Sequence, residues 1–241
     1  MIKLLKKFGR KEKQKECICS VIVPAAGNAS RMEGIDKILV EIGGKPILAH
    51  TLEALNQCDL VHEIIIVTRE DLIVDLGKLC KEFEIDKASK ILVGGKTRRD
   101  SVLIGVGEVR ENANIIGIHD GARPFLSQNV LKAVLLAGER SGAAAPAIPV
   151  TDTIKLAKDG LVEKTLDRDR LFAVQTPQVF ESSLIQAALA KAVEENVPLT
   201  DDCSAVERLG MKVTLTEGDR RNIKITTPLD LTIAKSLLEE M

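Results

Sequence analysis

The chain has no tryptophan and no tyrosine, and its five phenylalanines bring the aromatic content to only 2% of 241 residues. Proteins that bind single-stranded nucleic acid stack bases on aromatic side chains, so this scarcity argues against such a platform. A formal net charge of -1 likewise argues against a protein that coats nucleic acid. No apolar run approaches the ~20 residues that span a bilayer. What remains is the ordinary mixture of a soluble globular protein, with 45% hydrophobic and 29% charged residues.

The cysteines show no metal-binding pattern. No pair has the spacing of zinc ligands, and none has a histidine at a suitable offset. Cys17 and Cys19 are two residues apart and are predicted to pack on one face of the first strand. A reducing cytoplasm is therefore the expected location. The five cysteines are Cys17, Cys19, Cys58, Cys80 and Cys203.

Residues 1–16 differ from the rest of the chain, since seven of the sixteen are lysine or arginine. No apolar segment of the kind found in a secretory signal follows them. We predict a basic, flexible N-terminal extension, with a weak amphipathic helix on a membrane surface as the alternative. The remaining residues, 17–241, are predicted to form one domain.

From residue 17 onward, strand-like runs alternate with helix-like segments. Strands are predicted over 20–23, 63–68, 91–93, 115–119, 143–150 and 212–216, and helices over 46–57, 71–81, 98–110, 127–140, 182–194, 201–209 and from Pro228. This alternation predicts an α/β fold, in which an open, mainly parallel, Rossmann-like sheet carries helices on both faces.

The alternation is interrupted over residues 151–176. Lys158-Asp159-Gly160 separates two strand-like runs, which indicates a β-hairpin. A two-stranded ribbon buries little of its own surface, so we predict a protruding dimerisation arm that packs on the same arm of a second subunit. The alternative is a hairpin that folds back on its own domain.

Three polar, glycine-containing loops follow predicted strands, over 24–37, 94–101 and 119–124. In a doubly wound sheet the ligand binds at the carboxyl ends of the strands, where these loops would meet. In the first loop, small residues allow close approach of backbone N–H groups to a phosphate, and Arg31 and Lys37 add two cations. The loop is therefore interpreted as a polyphosphate clamp, with a basic surface loop as the alternative.

Two common nucleotide-binding motifs are absent from the sequence. No G-x-G-x-x-G follows the first strand, and the Gly95-Lys96-Thr97 segment lacks the earlier glycine of a P-loop, because Lys90 occupies that position. In the third loop, Asp120 could hold a metal or a sugar hydroxyl, and Arg123 could bind an anion. His119 is interpreted as a hydrogen-bonded residue at the end of a strand and not as a catalyst.

Eight motifs occur along the chain from about residue 20. They are P-A-A-G-(x)3-R-M (24–32) with Lys37, G-G-x-x-R-x-D-S-V (94–102), H-D-x-A-R-P (119–124), D-T-I-K (152–155), T-L-D-R (165–168), T-P-Q (176–178), T-D-D-x-S-A (200–205) and N-I-K-I-T (222–226). In this order they resemble the 2-C-methyl-D-erythritol 4-phosphate cytidylyltransferases, a family of sugar-phosphate nucleotidyltransferases.

The resemblance implies a role for each matching residue. Catalytic cations would be Arg31, Lys37 and Lys224. Nucleotide-binding residues would be Pro24, Ala25, Ala26, Gly27, Gly95 and Ser101. The acceptor would be bound by Asp120, Arg123, Thr176 and Thr200, and its phosphate by Thr153 and Arg168 of a neighbouring subunit in a homodimer. Mg²⁺ would be held mainly by the CTP phosphates, with Asp120 as the candidate protein ligand.

The implied reaction transfers CMP from CTP to 2-C-methyl-D-erythritol 4-phosphate in non-mevalonate isoprenoid biosynthesis and releases pyrophosphate. The alternatives are a ribitol-5-phosphate cytidylyltransferase, a more distant uridylyl- or guanylyltransferase, and a nucleotide-binding regulator that has lost catalysis. The altered first loop motivates the last idea, because Ala29 and Asp36 stand where the family usually has glycine and proline. Lys96 stands where some relatives have an acidic residue.

Overall fold

A computed structural model describes residues 17–26 and 36–240. The basic extension (1–16) and the predicted site residues Gly27 and Arg31 lie outside the described residues. The strands are β1 (Cys19–Pro24), β2 (Glu41–Ile42), β3 (Lys45–Pro46), β4 (Val61–Thr68), β5 (Ala88–Val93), β6 (Ile115–Ile118), β7 (Ala143–Pro149), β8 (Lys155–Lys158), β9 (Leu161–Thr165), β10 (Phe172–Val174), β11 (Gln178–Glu181) and β12 (Thr214–Glu217). The α-helices are α1 (Ile47–Asn56), α2 (Ile73–Glu82), α3 (Arg98–Gly107), α4 (Gln128–Ser141), α5 (Ser182–Glu194), α6 (Cys203–Arg208) and α7 (Pro228–Glu239).

The central sheet has the strand order β10-β7-β11-β6-β1-β4-β5, and β12 also pairs with β7. Strands β6, β1, β4 and β5 are parallel, and β12 joins β7 in parallel. Strands β10 and β11 are antiparallel to β7, and β11 is antiparallel to β6 as well. The predicted mainly parallel sheet is confirmed, but the two antiparallel strands were not predicted.

Helices cover both faces of the sheet, as predicted. Along β1 the side chains alternate, so that Val21 and Val23 pack on one face and Ile22 packs on the other. Helices α1, α2 and α4 contribute to the first hydrophobic cluster, and α3, α5 and α6 contribute to the second. Cys19 belongs to the first cluster and the partly buried Cys17 packs against it, which confirms that they share a face.

The predicted hairpin is formed by β8 and β9, which pair in antiparallel fashion. Both central residues of its turn have positive φ, 52° for Asp159 and 79° for Gly160, as a tight hairpin turn requires. All residues of both strands are exposed. The hairpin therefore does not bury its strands against its own domain, and its role as a dimerisation arm stays a prediction.

The parallel strands bring the described parts of the three predicted loops to one edge of the sheet. Backbone hydrogen bonds join them there, since Ala25 N–H donates to Val67 O (2.7 Å) and Gly94 N–H donates to Thr68 O (2.7 Å). The loop after β6 is joined to the loop after β1 by a longer bond, from Gly121 N–H to Pro24 O (3.3 Å). The carboxyl ends of β1, β4, β5 and β6 thus form one continuous floor for a ligand.

Candidate active site

A cleft of about 490 Å³ opens above this floor. Its lining comes from the segments after β1, β4, β5 and β6 and from the segment before α7. The predicted site residues in the lining are Pro24, Ala25, Ala26, Lys37, Gly95, Ser101, Asp120 and Lys224. The structure therefore brings the described members of the predicted nucleotide-binding and catalytic sets together.

The N-terminus of α3 faces the cleft and is tightly capped. The Thr97 hydroxyl accepts from Asp100 N–H (3.1 Å), and the Asp100 carboxylate accepts from Thr97 N–H (3.2 Å), which makes a capping box. A side chain on Gly95 would not fit, because its Cβ would lie 2.4 Å from the Cβ of Asp100. The first turn of α3 thus presents the positive end of a helix dipole to the cleft.

Asp120 is the centre of the charged groups in the cleft. Its carboxylate lies 3.0 Å from Lys224 Nζ, 3.3 Å from Arg123 Nε and 3.6 Å from Arg98 Nε. Burial by itself raises the pKa of this carboxyl, but the three cations outweigh it and hold the pKa well below its ordinary range. Asp120 is consequently ionised at neutral pH.

Arg98 is a site residue to which the sequence analysis assigned no role. Its Nη1 and Nη2 donate to the two carboxylate oxygens of Asp202 at 2.9 and 2.7 Å, while its Nε faces Asp120. Asp202 is buried. Both residues lie inside motifs noted above, and those motif positions could have indicated that they belong to the site. Their bidentate contact depends on the fold, because 104 positions separate them along the chain.

Arg69 was also missed, and it lies outside all eight motifs. It lines the cleft and forms ion pairs with Asp36, which precedes Lys37, and with Asp71 at 2.9 Å. These contacts raise the pKa of the guanidinium further above its ordinary value. The end of the first loop is therefore tied to the segment after β4.

The predicted acceptor residues Arg123 and Thr176 adjoin Asp120 from two sides. Asp120 N–H donates to Thr176 Oγ1 (3.1 Å), and Arg123 Nη1 donates to the carbonyl oxygen of Asn222 (2.6 Å). Asn222 Nδ2 in turn donates to the carbonyl oxygen of Thr176 (3.0 Å). The peptide bond between Thr176 and Pro177 is cis. These contacts connect the motifs around residues 120, 176 and 222 into one polar cluster.

Three predicted residues lie elsewhere. Thr200, Thr153 and Arg168 are exposed, and the described cleft lining includes none of them. Arg123 and Thr176 also lie outside the lining, but both contact Asp120, which belongs to it. Arg168 Nη1 donates to the carbonyl oxygen of Thr151 (3.0 Å), at the base of the hairpin. Their predicted contacts with an acceptor stay predictions.

The described residues offer no protein cage for a divalent cation. Within residues 17–26 and 36–240 there is no group of three or more histidine, cysteine, aspartate or glutamate side chains that could hold a metal. Asp120, the candidate ligand, already directs one oxygen at Lys224 and Arg123 and the other at Arg98. These cations compete with a divalent metal for the oxygens of Asp120. The role of Asp120 as a metal ligand stays a prediction.

Comparison with known proteins gives a consistent result. The profile of the 2-C-methyl-D-erythritol 4-phosphate cytidylyltransferases matches residues 19–240. The chain belongs to this family. A family member from Halalkalibacterium halodurans is 42% identical over 222 residues, which are 92% of this chain and 97% of the relative.

Solved structures of family members agree with the fold described above. The 4-diphosphocytidyl-2C-methyl-D-erythritol synthase of Anaerococcus prevotii superposes with a TM-score of 0.83 at 30% identity, covering 92% of this chain and 96% of that one. The 2-C-methyl-D-erythritol 4-phosphate cytidylyltransferase of Thermus thermophilus gives a TM-score of 0.76 at 31% identity, covering 92% and 99%.

Because His119 is fully buried, we predict that the free energy of unfolding depends on pH. Burial lowers the pKa of its imidazole from 6.5 to about 4 in the folded chain. As the pH falls from 7 to 5, the unfolded state binds a proton that the folded state does not, so the free energy of unfolding decreases. We expect a decrease of about 2 kcal/mol, measured by urea denaturation at both pH values. In His119→Asn this contribution to the pH dependence should disappear. If the free energy of unfolding of the variant decreases as much as that of the wild type between pH 7 and pH 5, the prediction is contradicted.

Proposed function

We propose that this protein transfers CMP from CTP to 2-C-methyl-D-erythritol 4-phosphate. A phosphate oxygen of the acceptor bonds to the α-phosphorus of CTP, the bond to the bridging oxygen breaks, and pyrophosphate leaves. The product is 4-diphosphocytidyl-2-C-methyl-D-erythritol, an intermediate of the non-mevalonate isoprenoid route. The observation that carries this proposal is the cation-lined cleft at the carboxyl ends of the parallel strands. The chain around it matches this family over residues 19–240.

The charges of the cleft suit two anionic substrates. Its described lining contains five cationic side chains and one carboxylate, that of Asp120. The cations are Lys37, Arg69, Lys96, Arg98 and Lys224, of which Arg69 and Arg98 are also paired with carboxylates outside the lining. Bringing a phosphate monoester to a triphosphate is opposed by charge repulsion, and prearranged cations reduce that barrier.

No general base is required for this reaction. A phosphate monoester has a second pKa near ~6, so its attacking oxygen is already largely ionised at neutral pH. Lys37 and Lys224, with Arg31, would hold the triphosphate and stabilise the charge on the transferring phosphoryl group. The enzyme would then act mainly by orientation and electrostatic stabilisation.

The two substrates would occupy different parts of the cleft. Pro24, Ala25, Ala26, Gly95 and Ser101 line the cleft and would surround the nucleotide, since small residues and backbone groups leave room for it. The family resemblance adds Gly27, which lies outside the described residues. Asp120, Arg123, Thr176 and Thr200 would position the polyol. The contacts that join the first three of these residues support this division.

Magnesium would enter with the nucleotide. Mg²⁺ prefers oxygen ligands and commonly remains bound to substrate phosphates and water. Because Asp120 is surrounded by three cations, we assign the metal to the triphosphate of CTP and treat the complex as the substrate.

A homodimer would complete each active site. The hairpin exposes apolar side chains that a second subunit could cover, with Leu161 at 75% and Val162 at 62% exposure. Thr153 and Arg168, at the base of this arm, would bind the acceptor phosphate in the partner's cleft.

We place the enzyme in the cytoplasm. All five cysteines are free thiols, which suits a reducing compartment. Within the described ranges, no helix has both the length and the apolar character needed to cross a membrane.

The acceptor is identified by measuring pyrophosphate release from CTP in the presence of Mg²⁺. One reaction contains 2-C-methyl-D-erythritol 4-phosphate and the other contains ribitol 5-phosphate. We expect kcat/KM to be at least about tenfold higher with the first, because a site built around one polyol leaves polar groups unpaired with another. A preference for ribitol 5-phosphate would keep the chemistry and change the substrate. CTP binding without pyrophosphate release in the presence of either acceptor would favour the alternative of a nucleotide-binding regulator that has lost catalysis.

Lys37→Ala should fold normally and lose turnover by at least about a hundredfold, since removing one transition-state contact of this kind costs roughly 3–4 kcal/mol. The measurement is kcat for pyrophosphate release, with circular dichroism to confirm folding. Lys78→Ala is the matched control, because Lys78 is exposed on α2 and pairs with Asp75 three residues earlier. Near-wild-type turnover of Lys37→Ala would remove Lys37 from the catalytic set.

Active-site sharing is tested by mixing two inactive variants, Lys37→Ala and Arg168→Ala, after joint refolding. In a shared site, each mixed dimer has one intact cleft, with Lys37 from one subunit and Arg168 from the other. Random pairing should then restore about a quarter of wild-type activity, because half of the dimers are mixed and each has one working site. Absence of any recovery, with mixed dimers confirmed by mass, would show that each cleft uses its own arm.

A further inference from the structure

The two ring nitrogens of His119 face different partners at the end of β6. Nδ1 lies 3.0 Å from the hydroxyl oxygen of Thr176, and Nε2 lies 3.4 Å from the carbonyl oxygen of Arg123. The histidine has no solvent-exposed surface. Its hydrogen-bond partners are therefore the hydroxyl and backbone of Thr176 and the backbone of Arg123.

The neighbours favour one tautomer of the ring. The carbonyl oxygen of Arg123 can only accept, so it is hydrogen-bonded to the ring when Nε2 carries the proton. A neutral imidazole has one N–H, so in this tautomer Nδ1 accepts the Thr176 hydroxyl hydrogen. The ring is neutral at pH 7 because burial lowers its pKa to about 4.

The Thr176 hydroxyl has little remaining freedom. It has one hydrogen, which goes to His119, and two lone pairs, one of which accepts from Asp120 N–H at 3.1 Å. One lone pair is left. A further partner of this hydroxyl has to donate a hydrogen bond to it.

We propose that His119 is a positioning residue that holds the Thr176 hydroxyl as an acceptor, so that an alcohol group of the acceptor substrate donates its hydrogen there. This rests on the proposed function, which places Thr176 beside the polyol. Because the same histidine contacts the backbone of Arg123, it orients two of the acceptor-binding residues together. The site would then select for a free alcohol at this position, since an ether oxygen or fluorine has no hydrogen to donate.

The first test reads the tautomer directly in the unmodified protein. Long-range ¹H–¹⁵N correlation spectra of ¹⁵N-histidine-labelled protein contain only three ring systems, since the chain has three histidines. Loss of one set of signals in His119→Asn assigns the ring. At pH 7 we expect a neutral ring protonated at Nε2. A ring protonated at Nδ1, or at both nitrogens, would overturn the proposal.

The second test compares two substitutions by their effect on KM. His119→Asn retains an oxygen that can accept from Thr176, whereas His119→Leu removes the acceptor. We expect KM for the polyol phosphate to rise about tenfold in His119→Leu, as expected for one lost hydrogen bond, and by less than about threefold in His119→Asn. KM for CTP should be unchanged in both variants.

The matched control is His62→Asn, because His62 lies near the start of β4, at the opposite edge of the sheet, where its Nδ1 accepts from Cys19 N–H. Equal KM values for the polyol phosphate in His119→Leu and wild type would overturn the proposal even if the expected tautomer is found. A parallel rise in both KM values would assign His119 a merely structural role, which also contradicts it. Absence of transfer by the wild-type protein would instead defeat the proposed function, while the spectra would still report the tautomer.

Discussion

The cleft depends on the ion pairs between the buried carboxylate of Asp120 and the cations around it. Removal from water disfavours an ionised carboxylate, and three cations from different parts of the chain compensate for it. Arg98 comes from the first turn of α3, Arg123 from the loop after β6 and Lys224 from the segment before α7. One charge at the end of β6 therefore sets the relative positions of three segments that are distant in sequence.

A second layer of polar contacts holds these cations in place. Arg98 is held by both oxygens of Asp202, and Gln178 of β11 accepts from Asp202 N–H (2.8 Å) while donating to the Asp201 carboxylate (2.8 Å). Buried charges are costly unless they are paired, so loss of either partner leaves an unmatched charge. A cleft arranged in this way has its charges oriented before any substrate arrives, which is the condition for electrostatic catalysis.

Local patterns predicted the elements that are long and regular. The β-branched run of β4 and the apolar periodicity of α4 are visible within one window of sequence, and Asp159-Gly160 indicates the hairpin turn by the same short-range logic. Strands β10 and β11 were missed because they have only three and four residues and pair with distant parts of the chain. The contact between Arg69 and Asp36 was missed for the same reason, since nothing near either residue indicates a partner 33 positions away.

The sequence by itself determined the α/β alternation, the three loops at the carboxyl ends of strands, and the family to which the chain belongs. Each of these depends on residue type and local spacing. Only the tertiary structure decided that Arg98 bridges Asp120 and Asp202, and that His119 Nδ1 lies within hydrogen-bond distance of the Thr176 hydroxyl. Such contacts are set by distance and burial between segments far apart in the chain, where charge strength and proton position depend on the surroundings.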